Sequence, residues 1–328
     1  MHRPLSRRGI LLRSLAATAL GALRAPAWAE TYPSRPLRMV IPFAAGGPND
    51  VTGRLVCDEL ARRIGQPVII ENKPGAGGNI GAEFVARAPA DGYTLFWAQA
   101  ATHGINPWIY KKVGFDPVKD FAPVGLVAQA PLMVLTHPRS GLKSLTEVLE
   151  RARANPDSIT FASGGNGTSP HVAGELLKSM AGVRMRHIPY RGSAAALNDA
   201  IAGQVDLVFD GIQSAQAFVR SGQLIALGVA TRERLADLPQ VPTMAETVPG
   251  FEALTWSGIV APAGTPAAVA TLINRELNRC LQAPALKERF AQLHITATGG
   301  SPEQMDRFIR QELEKWRKVA TDMAISVE

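Results

Sequence analysis

Three short segments of this chain share one pattern, in which an apolar run predicted to be a strand leads into a Gly-rich turn and then into a helix. The segments are residues 41–50, 161–171 and 188–194. Glycine lets the backbone approach a ligand closely, and the first N–H groups of each helix have no acceptor within the helix. Because those N–H groups lie at the positive end of a helix dipole, two or three such turns brought together would bind a small anion. The pattern therefore indicates binding and supplies no catalytic group.

Short apolar runs alternate with segments of helical periodicity over residues 37–98 and again over residues 144–230. This alternation is typical of a parallel sheet with helices on both faces. We therefore predict an α/β fold with two doubly wound lobes. The first lobe is predicted from residues 30–130 and 252–328, and the second from residues 131–251.

The segments outside this alternation complete the predicted fold. Residues 105–123 follow no regular period, and residues 124–135 are predicted as a strand interrupted at Pro131. A return strand is predicted at 254–260. The last predicted elements are helices at 266–281 and 302–323. We expect both helices to pack on the first lobe, because an amphipathic helix must bury its apolar stripe.

Two lobes joined by two chain crossings would form a cleft with a hinge. Ligands of open α/β sheets lie beyond the carboxyl ends of the strands. The turns at 43–50, 163–170 and 190–193 lie at such ends, the first in the first lobe and the others in the second. A ligand that touches all three turns would bridge the lobes and favour a closed state.

The first 29 residues are predicted to be an export signal outside the fold. Arg7 and Arg8 form a twin-arginine pattern, a short apolar stretch follows at 15–23, and residues 27–29 read Ala-Trp-Ala, a small-x-small cleavage site. Cleavage after Ala29 would release 299 of the 328 residues into the periplasm. An uncleaved membrane anchor is the alternative, and both the twin-arginine and the general export route stay open. After removal of the signal, no apolar run is long enough to span a membrane.

Removal of this signal also changes the charge. Residues 1–29 hold five arginines and no acidic residue, so the formal net charge falls from +7 to +2. The remaining chain has no basic run interleaved with aromatic residues of the kind that indicates nucleic-acid binding. A mild positive charge is compatible with an anionic small ligand.

Several cofactor motifs are incomplete in this chain. The glycines of residues 75–81 miss the spacing of a dinucleotide fingerprint, and residues 164–169 lack the lysine of a P-loop. The histidines are dispersed, and Cys57 and Cys280 have no metal-ligand neighbours at a useful spacing. The sequence therefore predicts no cofactor and no metal. It leaves open whether the two cysteines form a disulfide or are buried free thiols.

Ser169 and His171 define an alternative from another functional class, an exported serine hydrolase. No G-x-S-x-G motif surrounds Ser169, and the residue immediately precedes Pro170. Ser169 is therefore predicted to be the N-cap of a helix. A third alternative is a cell-surface interaction module that binds no small ligand.

Three charged residues of the predicted cleft each allow two interpretations. Asp50 falls at about the third position of a predicted helix, where it either caps the helix or accepts a hydrogen bond from water or from a ligand's amino or hydroxyl group. Asp210, at the end of an apolar strand, has the same two interpretations. Arg191 either forms a bidentate pair with a carboxylate or is a solvated loop residue.

Six motifs of this sequence resemble those of one known family. Residues 42–54, with Gly46-Gly47-Pro48-Asn49-Asp50 at their centre, are similar to the opening signature of the tripartite tricarboxylate transporter substrate-binding proteins, the Bug family of extracytoplasmic solute receptors. The resemblance continues, in order along the chain, through residues 71–78, 103–107, 116–123, 167–171 and 189–192. The chain has Ala44 and Ala45 where a pair of prolines is frequent in the family, so the resemblance implies the family and not the identity of the ligand.

The resemblance implies a monomeric two-lobed periplasmic binding protein of the type II, Venus-flytrap kind that is not an enzyme. Its expected ligand is a small carboxylate, such as a dicarboxylate or tricarboxylate, an acidic amino acid or an aromatic acid, held by backbone N–H groups and bridging waters. Its expected partners are transporter membrane subunits, although some members lack them, so uptake and sensing both stay open. The family position that matches Asp50 is associated with ligand selection, and Phe43 is expected to be an apolar lid. The predicted ligand-binding residues are Phe43, Gly46, Gly47, Pro48, Asn49, Asp50, Gly165, Gly167, Thr168, Ser169, Tyr190, Arg191, Gly192, Ser193 and Asp210.

Overall fold

The computed structural model describes residues 32–236 and 238–323, so the predicted export signal lies outside the described residues. The strands are β1 (Leu37–Ile41), β2 (Val68–Asn72), β3 (Thr94–Gln99), β4 (Phe121–Thr136), β5 (Thr160–Ser163), β6 (Arg186–Pro189), β7 (Leu207–Gly211), β8 (Ile225–Val229), β9 (Leu254–Pro262) and β10 (Thr296–Ala297). The α-helices are α1 (Pro48–Ile64), α2 (Asn79–Ala86), α3 (Asn106–Ile109), α4 (Leu145–Ala154), α5 (Ser169–Ala181), α6 (Ser193–Ala202), α7 (Ile212–Arg220), α8 (Ala267–Gln282), α9 (Pro284–Gln292) and α10 (Pro302–Met323). Within the described ranges, no helix is long and apolar enough to cross a membrane.

The strands form two parallel sets that are joined through β4. The main path of hydrogen-bonded strands runs β2-β1-β3-β9-β4-β7-β5-β6. β1 is parallel to β2 and β3, and β5 is parallel to β6 and β7, whereas β4 is antiparallel to β7, β8 and β9. We refer to β1–β3, β9 and the first part of β4, with the helices on them, as the first lobe. The second part of β4 and β5–β8, with their helices, form the second lobe.

Each lobe has its own hydrophobic core. In the first lobe, Val40, Phe96 and Val260 pack with Met305 and Trp316 of α10, as expected for a C-terminal helix that returns to this lobe. In the second lobe, successive residues of β5 and β7 enter different clusters: Phe161 and Phe209 enter one, and Ala162 and Val208 enter the other. Since neighbouring residues of a strand point to opposite faces, this sheet is covered by helices on both sides.

Three segments differ from the predictions. β4 begins at Phe121 and continues through Pro131 without the predicted interruption. Proline is tolerated there because β4 changes partner at this point, from β9 at Pro131 to β7 at Leu132. The irregular stretch contains a π-helical turn at Ala101–Ile105 followed by α3. A further helix that was not predicted is α9, which has proline at its first position and is separated from α8 by Ala283 alone.

Cys57 and Cys280 are free and buried, so the free-thiol interpretation describes this structure. Cys57 lies on α1 and Cys280 on α8. Burial raises the pKa of Cys57 and raises that of Cys280 to about 12. Both thiols are therefore protonated at neutral pH, which makes them poor nucleophiles and poor metal ligands.

Three buried histidines should make the fold sensitive to acid. Burial lowers the pKa of His103 and His187 to about 3 and that of His171 to about 4. Between a pH of about 6.5 and these values, the unfolded chain binds more protons than the folded chain, so the free energy of unfolding falls as the pH falls. Asp210 acts in the opposite direction, because burial raises its pKa to about 6, but three histidines outweigh one carboxyl group.

We therefore expect the melting temperature to decrease steadily as the pH is lowered from about 7 to about 4.5. Scanning calorimetry across this range measures the decrease. His103 lies among the rings of Phe96, Phe115 and Phe121, so a His103→Phe variant is a fitting control. The melting temperature should fall less with pH in that variant. An equal fall would show that protonation of His103 does not contribute to the loss of stability.

Candidate functional site

Four helices of the described chain begin at one small cavity between the lobes. The cavity has a volume of about 50 Å³. Its lining includes the N-cap residues Gly47 of α1, Thr168 of α5, Gly192 of α6 and Gly211 of α7. Each helix directly follows a parallel strand, namely β1, β5, β6 and β7. The sequence predicted three of these turns, and the structure adds the fourth at Gly211.

Three of these helices have no side-chain cap, because their N-cap residue is glycine. The first N–H groups of such a helix have no acceptor within the helix. Gly192 has a φ of +114°, and a Cβ added to it would lie 3.1 Å from the Ala44 Cβ across the cleft. Glycine is therefore required there both by its backbone conformation and by the close approach of the two lobes. The cavity faces the positive ends of these helices, an arrangement that favours an anion.

The fourth helix, α5, is capped differently from the prediction. Thr168 is the N-cap, and its Oγ1 accepts a hydrogen bond from the N–H of His171 at 3.4 Å. Ser169 is the first helical residue, so the prediction that Ser169 caps this helix is wrong. Thr168 has the extended backbone of an N-cap, with φ −74° and ψ 155°, which leaves the Ser169 side chain free to line the cavity.

Three buried polar atoms of cavity-lining residues have no hydrogen-bond partner in the described chain. They are Nε2 of Gln99, Oγ of Ser169 and Oδ2 of Asp210. The three residues are 2%, 7% and 1% exposed, respectively. A buried polar group without a partner costs about 1–3 kcal/mol, so a ligand that pairs with these atoms would gain that energy.

In the described chain, only one of the two carboxylate oxygens of Asp210 accepts hydrogen bonds. Its Oδ1 accepts hydrogen bonds from Oγ of Ser193 at 2.8 Å and from the N–H of Gly211 at 2.7 Å. Burial raises the pKa of the Asp210 carboxyl to about 6, and the bonds from Ser193 and Gly211, together with the nearby Ser214 hydroxyl, limit the rise. The Ser214 hydroxyl itself donates to the carbonyl of Gly211 at 3.1 Å. The Asp210 carboxyl is therefore mostly ionised at neutral pH and acts as a hydrogen-bond acceptor.

Asp50 is fully engaged in holding the first turn. It accepts hydrogen bonds from the N–H of Gly46 at 2.9 Å, from Nε and Nη2 of Arg54 at 2.8 and 2.9 Å, and from Nδ2 of Asn72 at 2.9 Å. Burial alone would raise the pKa of Asp50, but these hydrogen bonds together lower it below its ordinary value. The residue is absent from the lining of the cavity. This geometry supports the structural interpretation of Asp50.

A larger outer cavity of about 540 Å³ lies next to the inner one. It is lined by Pro74–Gly78 and Tyr110 of the first lobe and by Gly164–Asn166 and Pro189–Gly192 of the second. The two cavities share Phe43, Ala44, Gly164, Thr168 and Gly192. We refer to them as the inner and outer cavities.

The structure brings most of the predicted binding residues to these two cavities. The inner cavity is lined by Phe43, Gly47, Pro48, Asn49, Thr168, Ser169, Gly192, Ser193 and Asp210. The outer cavity adds Gly165, Tyr190 and Arg191. Gly46, Asp50 and Gly167 line neither cavity, and a Cβ at Gly167 would meet Asn106 and Tyr110.

Several lining residues were missed from the sequence. Gln99 is the last residue of β3, so the rule that ligands lie at the carboxyl ends of strands would have found it. Leu132 of β4 and Thr255 of β9 carry no such signal, because they do not lie at the carboxyl end of a parallel strand but near the points where the chain crosses between the lobes. The other missed residues of the inner cavity are Ala44, Gly164, Pro170 and Gly211.

The site lacks the geometry of a serine hydrolase. Ser169 Oγ makes no hydrogen bond in the described chain, whereas Nδ1 of His171 accepts one from the N–H of Gly167 at 3.2 Å. The His171 ring packs against His187 with a centroid distance of 4.2 Å. A nucleophile must contact its base, and this pair does not. Among the described residues there is also no group of three His, Cys, Asp or Glu side chains that could hold a metal.

Comparison with known sequences gives a consistent set of relatives. A family model described as the tripartite tricarboxylate transporter family receptor matches residues 52–325. A UPF0065 protein from the tcbD-tcbE intergenic region of Pseudomonas sp. (strain P51) is 38% identical over 90% of this chain and 89% of its own length. Protein BugT of Bordetella pertussis is 35% identical over 93% of this chain and 94% of its own length.

Solved structures share the fold over most of the chain. R. palustris Rpa4515 with adipate has a TM-score of 0.87 at 33% identity, covering 90% of this chain and 99% of its own. The periplasmic binding protein BugD has a TM-score of 0.86 at 35% identity, covering 90% of this chain and 100% of its own. MatC from Rhodopseudomonas palustris with bound malate has a TM-score of 0.84 at 33% identity, covering 88% of this chain and 99% of its own. These likenesses confirm the predicted two-lobed periplasmic-binding-protein fold.

Proposed function

The chain belongs to the tripartite tricarboxylate transporter receptor family, and from that premise we propose that it is a periplasmic receptor that closes on a small carboxylate between its two lobes. The observation that carries the proposal is the convergence of four helix N-termini on the inner cavity, three of them without a side-chain cap. The unpartnered Nε2 of Gln99 and Oγ of Ser169 add donors to the same space. Solved relatives with bound adipate and malate support a carboxylate as the ligand.

The contacts of β4 support the proposed limits of the lobes. Pro131 pairs with Leu254 of β9, whereas the next residue, Leu132, pairs with Gly211 of β7. The return crossing falls between Ala253, whose N–H bonds the carbonyl of Ala230 in the second lobe, and Leu254, the first residue of β9, within two residues of the proposed limit. We place residues 30–130 and 252–328 in the first lobe and residues 131–251 in the second.

Three further parts of the proposal concern the setting of the receptor. Residues 1–29 direct export and are cleaved after Ala29. The receptor is a monomer that passes its ligand to transporter membrane subunits or to a sensor. It performs no chemical step on the ligand, in agreement with the lack of contact between Ser169 and His171.

A thermal-shift experiment tests the proposed function. Protein stripped of copurified ligand is melted with a panel of small carboxylates and with the neutral amides of the same acids. A ligand at about a hundred times its dissociation constant adds about 2.7 kcal/mol to the free energy of unfolding, which raises the melting temperature by several degrees. We expect a rise with one chemical group of acids and none with the amides. A panel without any rise, or equal rises with acids and amides, would contradict the proposal.

A hydrogen bond between the lobes should contribute to ligand affinity. Tyr110 of the first lobe donates its hydroxyl to the carbonyl of Asn166 in the second, at 2.9 Å. If the lobes separate when the ligand leaves, this bond stabilises the ligand-bound state. A Tyr110→Phe variant should therefore bind the ligand about two- to tenfold more weakly, because a neutral hydrogen bond contributes about 0.5–1.5 kcal/mol. Titration calorimetry measures the change, and equal affinities would show that the bond is not coupled to binding.

A further inference from the structure

We propose that Asp210 selects carboxylates that carry a hydrogen-bond donor beside the carboxylate group, that is, α-hydroxy or α-amino acids. The inference rests on the proposed function, because it names the class of acid that the receptor takes. It assigns the ligand's carboxylate to the helix N-termini and its hydroxyl or amino group to Oδ2 of Asp210.

The two oxygens of Asp210 differ in their surroundings. Oδ1 is saturated by the Ser193 hydroxyl at 2.8 Å and the Gly211 N–H at 2.7 Å. Oδ2 is buried, has no partner in the described chain, and belongs to a residue that lines the inner cavity. An ionised carboxylate can only accept hydrogen bonds, so the ligand group that pairs with Oδ2 of Asp210 must be a hydrogen-bond donor.

A plain carboxylate cannot be that group. Its oxygens would face Oδ2 as a second negative charge in a buried site, and such like-charge contacts cost several kcal/mol. A hydroxyl or ammonium group between the two carboxylates removes the repulsion and satisfies Oδ2. Because the pKa of Asp210 rises only to about 6, protonated Asp210 is a minor species at neutral pH and does not replace this donor.

The size of the cavity places the donor close to the carboxylate. The inner cavity, at about 50 Å³, accommodates only one end of a ligand, and the remainder would extend toward the outer cavity of about 540 Å³. The same small space holds Nε2 of Gln99, a donor, and Oγ of Ser169, and neither atom has a partner among the described residues. Donors for the ligand's carboxylate and one acceptor for its hydroxyl or amino group therefore lie around a single end of the ligand.

The test compares matched acids on the full mature chain stripped of ligand. Three sets cover three lengths: propionate with L-lactate, succinate with L-malate and L-aspartate, and glutarate with L-2-hydroxyglutarate and L-glutamate. Affinities are measured by titration calorimetry at neutral pH. We expect the wild-type protein to bind the donor-bearing acid about tenfold or more tightly than the plain acid in at least one set, as a hydrogen bond to a charged group allows.

An Asp210→Asn variant should reverse this preference. Its amide oxygen stays where Ser193 and Gly211 donate, so its NH₂ group takes the place of Oδ2 and an acceptor becomes a donor of the same shape. The plain acid should then bind at least as tightly as it binds to the wild-type protein, and the donor-bearing acid more weakly. Asp91→Asn, which alters a surface pair with Arg35, is the matched control and should keep the wild-type preference.

The possible failures can be told apart. If the wild-type protein binds plain and donor-bearing acids equally, the selectivity is wrong while carboxylate binding stands, and this comparison does not depend on how well the variant folds. If folded Asp210→Asn keeps the wild-type preference, another group selects the donor and the inference is overturned. If neither protein binds any acid of the wider panel, the proposed function itself fails, and the inference fails with it.

Discussion

Replacing Ser169 with aspartate should abolish carboxylate binding while the protein stays folded. Ser169 is the first residue of α5 and lines the inner cavity, with its Oγ buried and unpartnered in the described chain. An aspartate there would place a fixed carboxylate where the ligand's carboxylate is expected, and a like-charge contact costs several kcal/mol. We expect affinity to fall by about a hundredfold or more, which corresponds to about 2.7 kcal/mol.

Stability should change much less than affinity. A carboxylate in the first turn of a helix is favourable by about 0.3–1 kcal/mol, whereas its repulsion from Asp210, which lines the same cavity, opposes that gain, so the protein without ligand should still unfold cooperatively and close to the wild-type melting temperature. Titration calorimetry and a thermal melt measure the two quantities on the same sample. Ser169→Ala is the control, and it should weaken binding only about two- to tenfold. If Ser169→Asp binds within about threefold of the wild-type protein, the carboxylate does not lie at the start of α5.

Replacing Asp50 with alanine should destabilise the protein by about 2–4 kcal/mol. Asp50 is 2% exposed, and loss of its carboxylate would remove the acceptor of the Gly46 N–H and one of the two acceptors of the Asn72 amide, which would keep the Phe43 carbonyl. A hydrogen bond to a charged group contributes about 1.5–3 kcal/mol, and the bonds from Gly46 and Asn72 to the buried carboxylate account for the expected loss. The Arg54 side chain is 50% exposed and can turn to water, so its pair adds little to the total. Denaturant unfolding measures the loss.

The same variant separates the two interpretations of Asp50. Because Asp50 lines neither cavity, ligand affinity should fall much less than stability, through a less rigid turn alone. Asp91→Ala removes an exposed carboxylate that also pairs with an arginine, and it should cost less than about 1 kcal/mol. A stable Asp50→Ala variant that has lost binding would favour the ligand-selection role that the family resemblance implied.

Local sequence patterns predicted most of the fold because helix limits and strand positions depend on interactions between residues that are close in the sequence. The last helix was placed at residues 302–323, and α10 has these limits. The helix begins with a capping box, in which the Ser301 N–H donates to Oε1 of Gln304 and the Gln304 N–H donates to Oγ of Ser301. Such signals lie within a few residues of one another, so one sequence is enough to read them.

The features that were missed depend on contacts between distant residues. The acceptor positions of Asp50 are filled partly by Asn72, which lies 22 residues away and carries no sign of this role in the sequence. Leu132 and Thr255 reach the cavity because β4 crosses between the lobes after Pro131 and β9 begins beside this crossing. The fourth helix N-terminus, at Gly211, was overlooked because α7 begins at Ile212, directly after β7, with no turn between the strand and the helix.

A crystal structure of the chain with the acid that gives the largest thermal shift would test the central claim most directly. The account predicts that the ligand's carboxylate lies in the inner cavity, within hydrogen-bond distance of backbone N–H groups at the starts of at least two helices, directly or through one water. It also predicts that no protein cation pairs with that carboxylate. A carboxylate paired with Arg191 in the outer cavity, with no ligand atom at the helix N-termini, would contradict it.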